Sequence, residues 1–293
     1  MKTQTPLRIG FVDYKLENYH ANVFLDAFRN ALKDRNAMVS GCLALDDSDG
    51  RAWAKKNNVA WFDTPAALGE KCDVLMVLAP SNPELHLKLC EMVLPLGKPT
   101  YVDKTFAPDA ATAKRIFELA DKHGTPVQTT SALRYTNVQT KLAELGGPGK
   151  LRHMVAWGSG SSFDEYAIHP VEMVVSCMGP DAVSLMRRGD ADGKFSQLLI
   201  DFSDNRTAVV SVACQTNTDF AASLTTAKET VHVTVNANTL FTDTAAAILD
   251  FLRSGKPNID RAQSLMIRRI LDAASAPTAT KQPVPLERRV SRK

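Results

Sequence analysis

No run of apolar residues in this sequence reaches the roughly 18 that a membrane-spanning helix needs. The start, "MKTQTPLRIG", has no apolar core ahead of the first strand-like run, so no secretory signal is expected. The five cysteines form no C-x-x-C pair, and four of them sit in apolar runs. That pattern points to reduced core thiols and a cytoplasmic protein. No His/Cys/Asp spacing suits a zinc site, so no metal is expected, and no serine sits in a nucleophile elbow. Charge of one sign is scarce too. The 35 Lys and Arg nearly balance the 32 Asp and Glu, which leaves +3 and no reason to expect a nucleic-acid partner. The most basic stretch, "LERRVSRK" at the end, reads as a solvated tail. There is no internal repeat and no low-complexity tract. The last absence is local. "DYKLENY" (Asp13–Tyr19) holds no glycine, although it follows an apolar run of the kind that leads into a phosphate-binding turn, and Gly10 lies inside that run instead.

What the sequence does contain suits one large domain or two ordinary ones, since 44% of its 293 residues are hydrophobic. Residues 1–130 alternate apolar runs with amphipathic stretches. Strands are expected at 7–13, 38–46, 72–80, 99–103 and 125–130, each nearly continuous in apolar residues, as strands buried on both faces are. Helices are expected at 22–32, 83–97 and 108–124, with proline at the start and glycine at the stop of the last two. Repeated strand–helix units specify a doubly wound parallel sheet of the Rossmann type. After 130 the rhythm changes. A helix at 136–145 ends in "GGPG". Strand-like runs follow at 150–158, 182–189, 195–203, 206–214 and 230–237, and "SDN" between two of them signals a hairpin. Helices are expected at 168–178, 242–254 and 259–275, and the proline-rich segment after Ala276 is expected to be irregular. Residues 131–293 therefore read as an α+β domain with a mostly antiparallel open sheet, whose free face is a candidate subunit interface.

Three clusters could carry chemistry. "VLAPSNPELH" (77–86) sits at a strand's carboxyl end, where open α/β sheets bind ligands, and Ser81 and Asn82 can present polar groups there. A plain helix cap before Pro83 explains it equally. In "GKPTYVDKTFAPDAA" (97–111), the pair Asp103-Lys104 ends a strand. A lysine so placed can donate to a substrate hydroxyl or polarise a carbonyl. A surface ion pair is the alternative. In "SSFDEYAIHPVEMVVSCMG" (161–179), His169 opens an amphipathic helix four residues after Glu165. An imidazole titrates near neutrality and can take an alcohol proton, but a capping or core histidine fits as well. The remaining histidines show no such neighbourhood.

In order and spacing the clusters resemble the glucose–fructose oxidoreductase / inositol dehydrogenase (Gfo/Idh/MocA) family. Its "t-P-n-x-x-H", "G-K-h-V-x-x-E-K-P", "R-[FY]" and "D-x-x-x-H" read here as "APSNPELH", "GKPTYVDKT", "LRY" (133–135) and "EYAIH". The resemblance covers most of the chain and is closest over 72–135. It implies a nicotinamide-dependent oxidoreductase acting on a sugar, sugar acid or cyclitol. Lys104 would polarise the reacting oxygen, His169 would be the acid/base, and Glu165 would stand for the usual Asp. Arg134 and Tyr135 would contact the substrate. Asp13, Tyr14, Asp46, Ala79, Pro80, Ser81 and Asn82 would lie against the cofactor. The acid at Asp46 implies NAD rather than NADP, because it repels a 2′-phosphate. A homodimer or homotetramer is also implied. Departures are Thr105 for the proline, Glu165 for Asp, and the missing Gly-x-Gly-x-x-Gly, which puts cofactor binding itself in question. Two further readings remain open: a carbohydrate lyase or other non-redox relative, and a non-enzymatic ligand sensor on the same fold.

Overall fold

The computed structural model describes residues 5–190 and 194–286, so the basic tail at 287–293 lies outside the described residues. The chain divides into two units. The first comprises residues up to Thr130 together with Thr239–Asp260, and the second comprises Ser131–Asn238 and the residues from Arg261 onward.

The first unit is built on β1 (Leu7–Asp13), α1 (Tyr19–Arg29), β2 (Ala37–Ala44), α2 (Asp47–Asn57), β3 (Ala60–Trp61), α3 (Pro65–Lys71), β4 (Val74–Val77), α4 (Pro83–Val93), β5 (Thr100–Val102), α5 (Ala110–Lys122) and β6 (Val127–Thr129). All pairings are parallel, and the order β3-β2-β1-β4-β5-β6 is doubly wound. β4, β5 and β6 are buried throughout, which is why they read as unbroken apolar runs. β3 is two residues long and left no pattern in the sequence. Gly10 has a packing reason. It pairs with Gly41 across β1 and β2, and a Cβ at either would press on Leu68 of α3, at 3.2 and 2.8 Å. The two glycines let α3 lie close to the sheet.

Between β6 and the last segment of this core lie the elements of the second unit: α6 (Asn137–Glu144), β7 (His153–Gly160), α7 (Phe163–Tyr166), α8 (Ile168–Met178), β8 (Ala182–Gly189), β9 (Phe195–Phe202), β10 (Arg206–Cys214), β11 (Ala221–Thr225) and β12 (Thr230–Thr234). Then comes α9 (Leu240–Ser254), which corrects the division at 130. It buries Ile248, Leu249, Phe251 and Leu252 in the same core as Ile9 and Phe11 of β1 and Phe24 and Phe28 of α1. Its apolar stripe fits α1, and a chain that leaves a core and returns gives no local sign of it.

α10 (Arg261–Ser275) and β13 (Val284–Pro285) complete the second unit. Its sheet runs β12-β11-β7-β10-β9-β8-β13 and is antiparallel except for β7 with β10. The hairpin expected at "SDN" is present between β9 and β10, with Asp204 and Asn205 at positive φ. The segment after Ala276 is not irregular throughout, because Val284–Pro285 adds an edge strand, the sheet position a proline tolerates. One sheet face is buried through Met154, Ala156, Leu198, Ile200, Ala208 and Val210, and α8 packs on β7 and β10. On the strands' other face Trp157, Phe195 and Leu199 are exposed.

Candidate active site

At the carboxyl edge of the first sheet, β1 ends in Asp13, which is almost wholly buried. Its carboxylate accepts the backbone N–H of Tyr14 (2.6 Å) and Lys15 (3.3 Å) and the Asn18 amide (2.9 Å), and the Ala79 N–H also bonds to it. Burial nevertheless raises its pKa from 3.8 to about 6, against the lowering effect of these bonds. The next two amides of the turn, Leu16 N–H and Glu17 N–H, donate to Asp49 Oδ2 at 2.6 and 3.1 Å. Asn18 then caps α1 by accepting from Ala21 N–H (3.0 Å). Asp46 lies beyond the end of β2 as the N-cap of α2, accepting from Asp49 N–H, with Lys15 Nζ 3.7 Å from its carboxylate.

After β4, Ala79 adopts a left-handed φ of 49° and Pro80 O accepts from Lys104 Nζ (3.3 Å). Ser81 is exposed, and the Asn82 side chain donates to Glu84 rather than capping α4. His86, on α4, is fully buried, with its ring nitrogens 2.7 and 3.1 Å from Leu78 O and Phe106 O. It ties the loop after β4 to the loop after β5.

Asp103 and Lys104 are not a surface pair, being only 1% and 7% exposed. Asp103 receives Tyr101 O–H (3.0 Å) and Lys104 N–H (2.8 Å), and His20 Nδ1 lies 2.5 Å from its other oxygen. Burial pushes the Asp103 pKa up, but the His20 charge and hydrogen bond, with help from Lys104, hold it below the ordinary carboxylate range. His20, for which the sequence showed no acid neighbour like that of His169, thus has one in Asp103. It sits in the first turn of α1, its ring lined by Tyr19, Phe24 and Phe241. The peptide between Lys104 and Thr105 is cis.

In the second unit Ser131 Oγ lies 2.7 Å from His169 Nδ1, and Tyr166 and Phe220 flank the ring. Gly160, at the end of β7, makes room for Tyr166, whose ring a Cβ would meet at 1.9 Å. Glu165 accepts from Ser161 Oγ (2.9 Å). Arg134 is buried against Glu172 (Nε to Oε1, 2.5 Å), with its Nη1 on Gln263 (2.6 Å). Its Nη2 is buried with no hydrogen-bond partner among the described residues. Tyr135 follows it, half-buried.

Residues 7–131 match a family model described as "Oxidoreductase family, NAD-binding Rossmann fold" (GFO_IDH_MocA). This first segment is a Gfo/Idh/MocA domain. No curated protein matches the sequence significantly. Among solved structures, a probable dehydrogenase from Thermotoga maritima is 15% identical, with TM-score 0.81 over 96% of this chain and 99% of that one. Apo scyllo-inositol dehydrogenase from Lactobacillus casei is 13% identical, with TM-score 0.80 over 97% and 99%. An oxidoreductase from Agrobacterium radiobacter, in complex with NAD+, L-tartaric acid and magnesium, is 15% identical, with TM-score 0.76 over 96% and 99%. These likenesses show that both units share the fold of the solved structures.

In a Gfo/Idh/MocA domain the implied cofactor is a nicotinamide dinucleotide, and the helix-start amides after β1 are where this kind of fold seats a pyrophosphate. Here the amides of residues 14–17 are already held by Asp13 and Asp49, whose charge opposes a phosphate. The turn does not fit a pyrophosphate. Asp46, the 79–82 loop and Lys104 are assembled at the same sheet edge. The sequence reading missed His20, Tyr101 and Asp49. "YHA" and the acid in α2 were the only signals for the first and last, and neither is informative without the fold.

Proposed function

We propose that the protein is an oxidoreductase acting on a CH–OH group of a sugar, sugar acid or cyclitol. The observation that carries this reading is Lys104, buried at the carboxyl end of β5, whose Nζ donates to Pro80 O and whose backbone N–H donates to the buried, His20-paired Asp103. A buried ammonium there donates to the reacting oxygen and stabilises negative charge on it. Asp103 fixes the backbone that carries Lys104, and Tyr101 and His20 fix Asp103. His169, oriented by Ser131, is the group that exchanges the hydroxyl proton, with Glu165, four residues upstream and hydrogen-bonded by Ser161, as the accompanying acid. Arg134 and Tyr135 are the residues assigned to the substrate's other oxygens. Nicotinamide is the hydride acceptor of this family, and the carboxylate of Asp46 favours NAD over NADP. The exposed apolar residues of the second sheet support a homodimer or homotetramer, which light scattering would measure.

The test is NAD(P)H formation on a panel of aldoses, aldonic acids and inositols, with Lys104→Ala and His169→Ala each lowering turnover by about 10²–10⁴-fold. Turnover unchanged by both substitutions would sink the reading. The filled turn favours a second reading, in which a non-redox reaction such as carbohydrate elimination runs at the same residues. Turnover without added nicotinamide, lost in Lys104→Ala, would decide for it.

A further inference from the structure

We infer that Asp13 and Asp49 are built-in anions that occupy the pyrophosphate seat, so a nicotinamide dinucleotide binds this chain only as a loosely held co-substrate. The inference deepens the oxidoreductase reading and rests on it. Four consecutive amides, Tyr14 to Glu17, converge on two carboxylates at 2.6–3.3 Å. Such a run of N–H groups in the turn that leads from a strand into a helix is an anion-binding concavity, and a carboxylate satisfies it as a phosphate does.

Neither carboxylate can swing away cheaply. Asp13 is the last residue of β1, nearly unexposed, and also held by Asn18 and by the Ala79 amide. Asp49 stands in the first turn of α2, its own N–H bonded to Asp46 Oδ1 at 3.1 Å. The next residue, Gly50, locks that turn under Trp61, since a Cβ there would meet the indole at 2.2 Å. A phosphate reaching these amides would have to displace charge-assisted bonds and sit against two like charges. What the edge still offers a dinucleotide lies at its ends: Asp46 for the adenosine ribose and the loop from Ala79 to Asn82. Missing glycines and added aspartates are thus one device. Gly-x-Gly-x-x-Gly brings bare amides to a ligand, whereas here the same amides are closed by the chain itself.

The experiment is calorimetric titration of the full chain with NAD+ and, separately, with ADP-ribose, which carries the pyrophosphate without the nicotinamide. The wild type is expected to bind both with a dissociation constant in about the millimolar range. Asp49→Ala, a partly buried position whose loss leaves the strands untouched, should tighten both ligands by about tenfold or more, and Asp49→Ala combined with Asp13→Asn, which removes the second charge, by about 100-fold. Circular dichroism and melting confirm that each variant folds. Micromolar binding by the wild type would overturn the inference and leave the oxidoreductase reading standing. Variants that fold but bind no better than the wild type would also overturn it. Binding absent from the wild type yet gained by Asp49→Ala would uphold the filled seat and instead remove the nicotinamide part of the proposed function.

Discussion

Asp13 shows how a single buried carboxylate ties stability to pH. Its native pKa, about 6, lies above its ordinary 3.8, so between these values the folded protein holds a proton that the unfolded chain has released. The folded state is then penalised progressively as pH rises through that window, by about 3 kcal/mol for a shift of this size. Denaturant titrations from pH 4 to 7 should show this falling contribution as the difference between wild type and Asp13→Asn, because the depressed carboxylates Asp73, Asp103 and Asp181 cancel in the comparison. No difference in slope would contradict the assignment. The cysteines give a second residue-scale test. All five are free and buried, and burial raises the thiols of Cys42 and Cys177 to about 12. A thiol reagent at neutral pH should label none of the five in the folded chain and all five in denaturant. The apolar runs around the cysteines made this legible in advance. The Asp13 effect was not, because a carboxylate at a strand end looks the same in sequence whether it faces water or its own backbone amides.

At the scale of elements, the packing of α3 on the first sheet depends on two facing glycines. Gly41→Ala would set a methyl 2.6 Å from Phe62 and 2.8 Å from Leu68, and unfolding measurements should show a loss of about 1–3 kcal/mol from overpacking. The link between α8 and the turn that carries Arg134 is ionic. Arg134 and Glu172 are both under a tenth exposed, so Glu172→Ala leaves a buried guanidinium without its partner and should cost about 3–5 kcal/mol. Glu172→Gln keeps the acceptor oxygen and should cost distinctly less. Long, periodic elements were visible in the sequence because one buried stripe repeats every 3.6 residues, as in α5 and α10. The short strands β3 and β13 were not, since two residues carry no period.

For the whole molecule, the return of α9 to the first core makes the two units discontinuous in sequence. A fragment ending at residue 130 would leave Phe24 and Phe28 without the cover of Ile248, Leu249 and Phe251. It should therefore show no cooperative thermal transition, whereas residues 1–130 joined by a flexible linker to 239–260 should regain one. A sharp transition in the shorter fragment would show that α9 is dispensable to this core.

The sequence by itself determined the parallel and antiparallel sheets, the reduced cysteines and the family to which the first segment belongs. These follow from hydrophobic periodicity and from residue types at fixed spacing, which are local properties of the chain. Tertiary structure alone decided what the glycine-free turn does. Asp49 is some thirty residues from the amides it closes, and His20 is over eighty from Asp103, so only folding could show that the acid fills a phosphate seat and that the histidine steadies the strand end carrying Lys104.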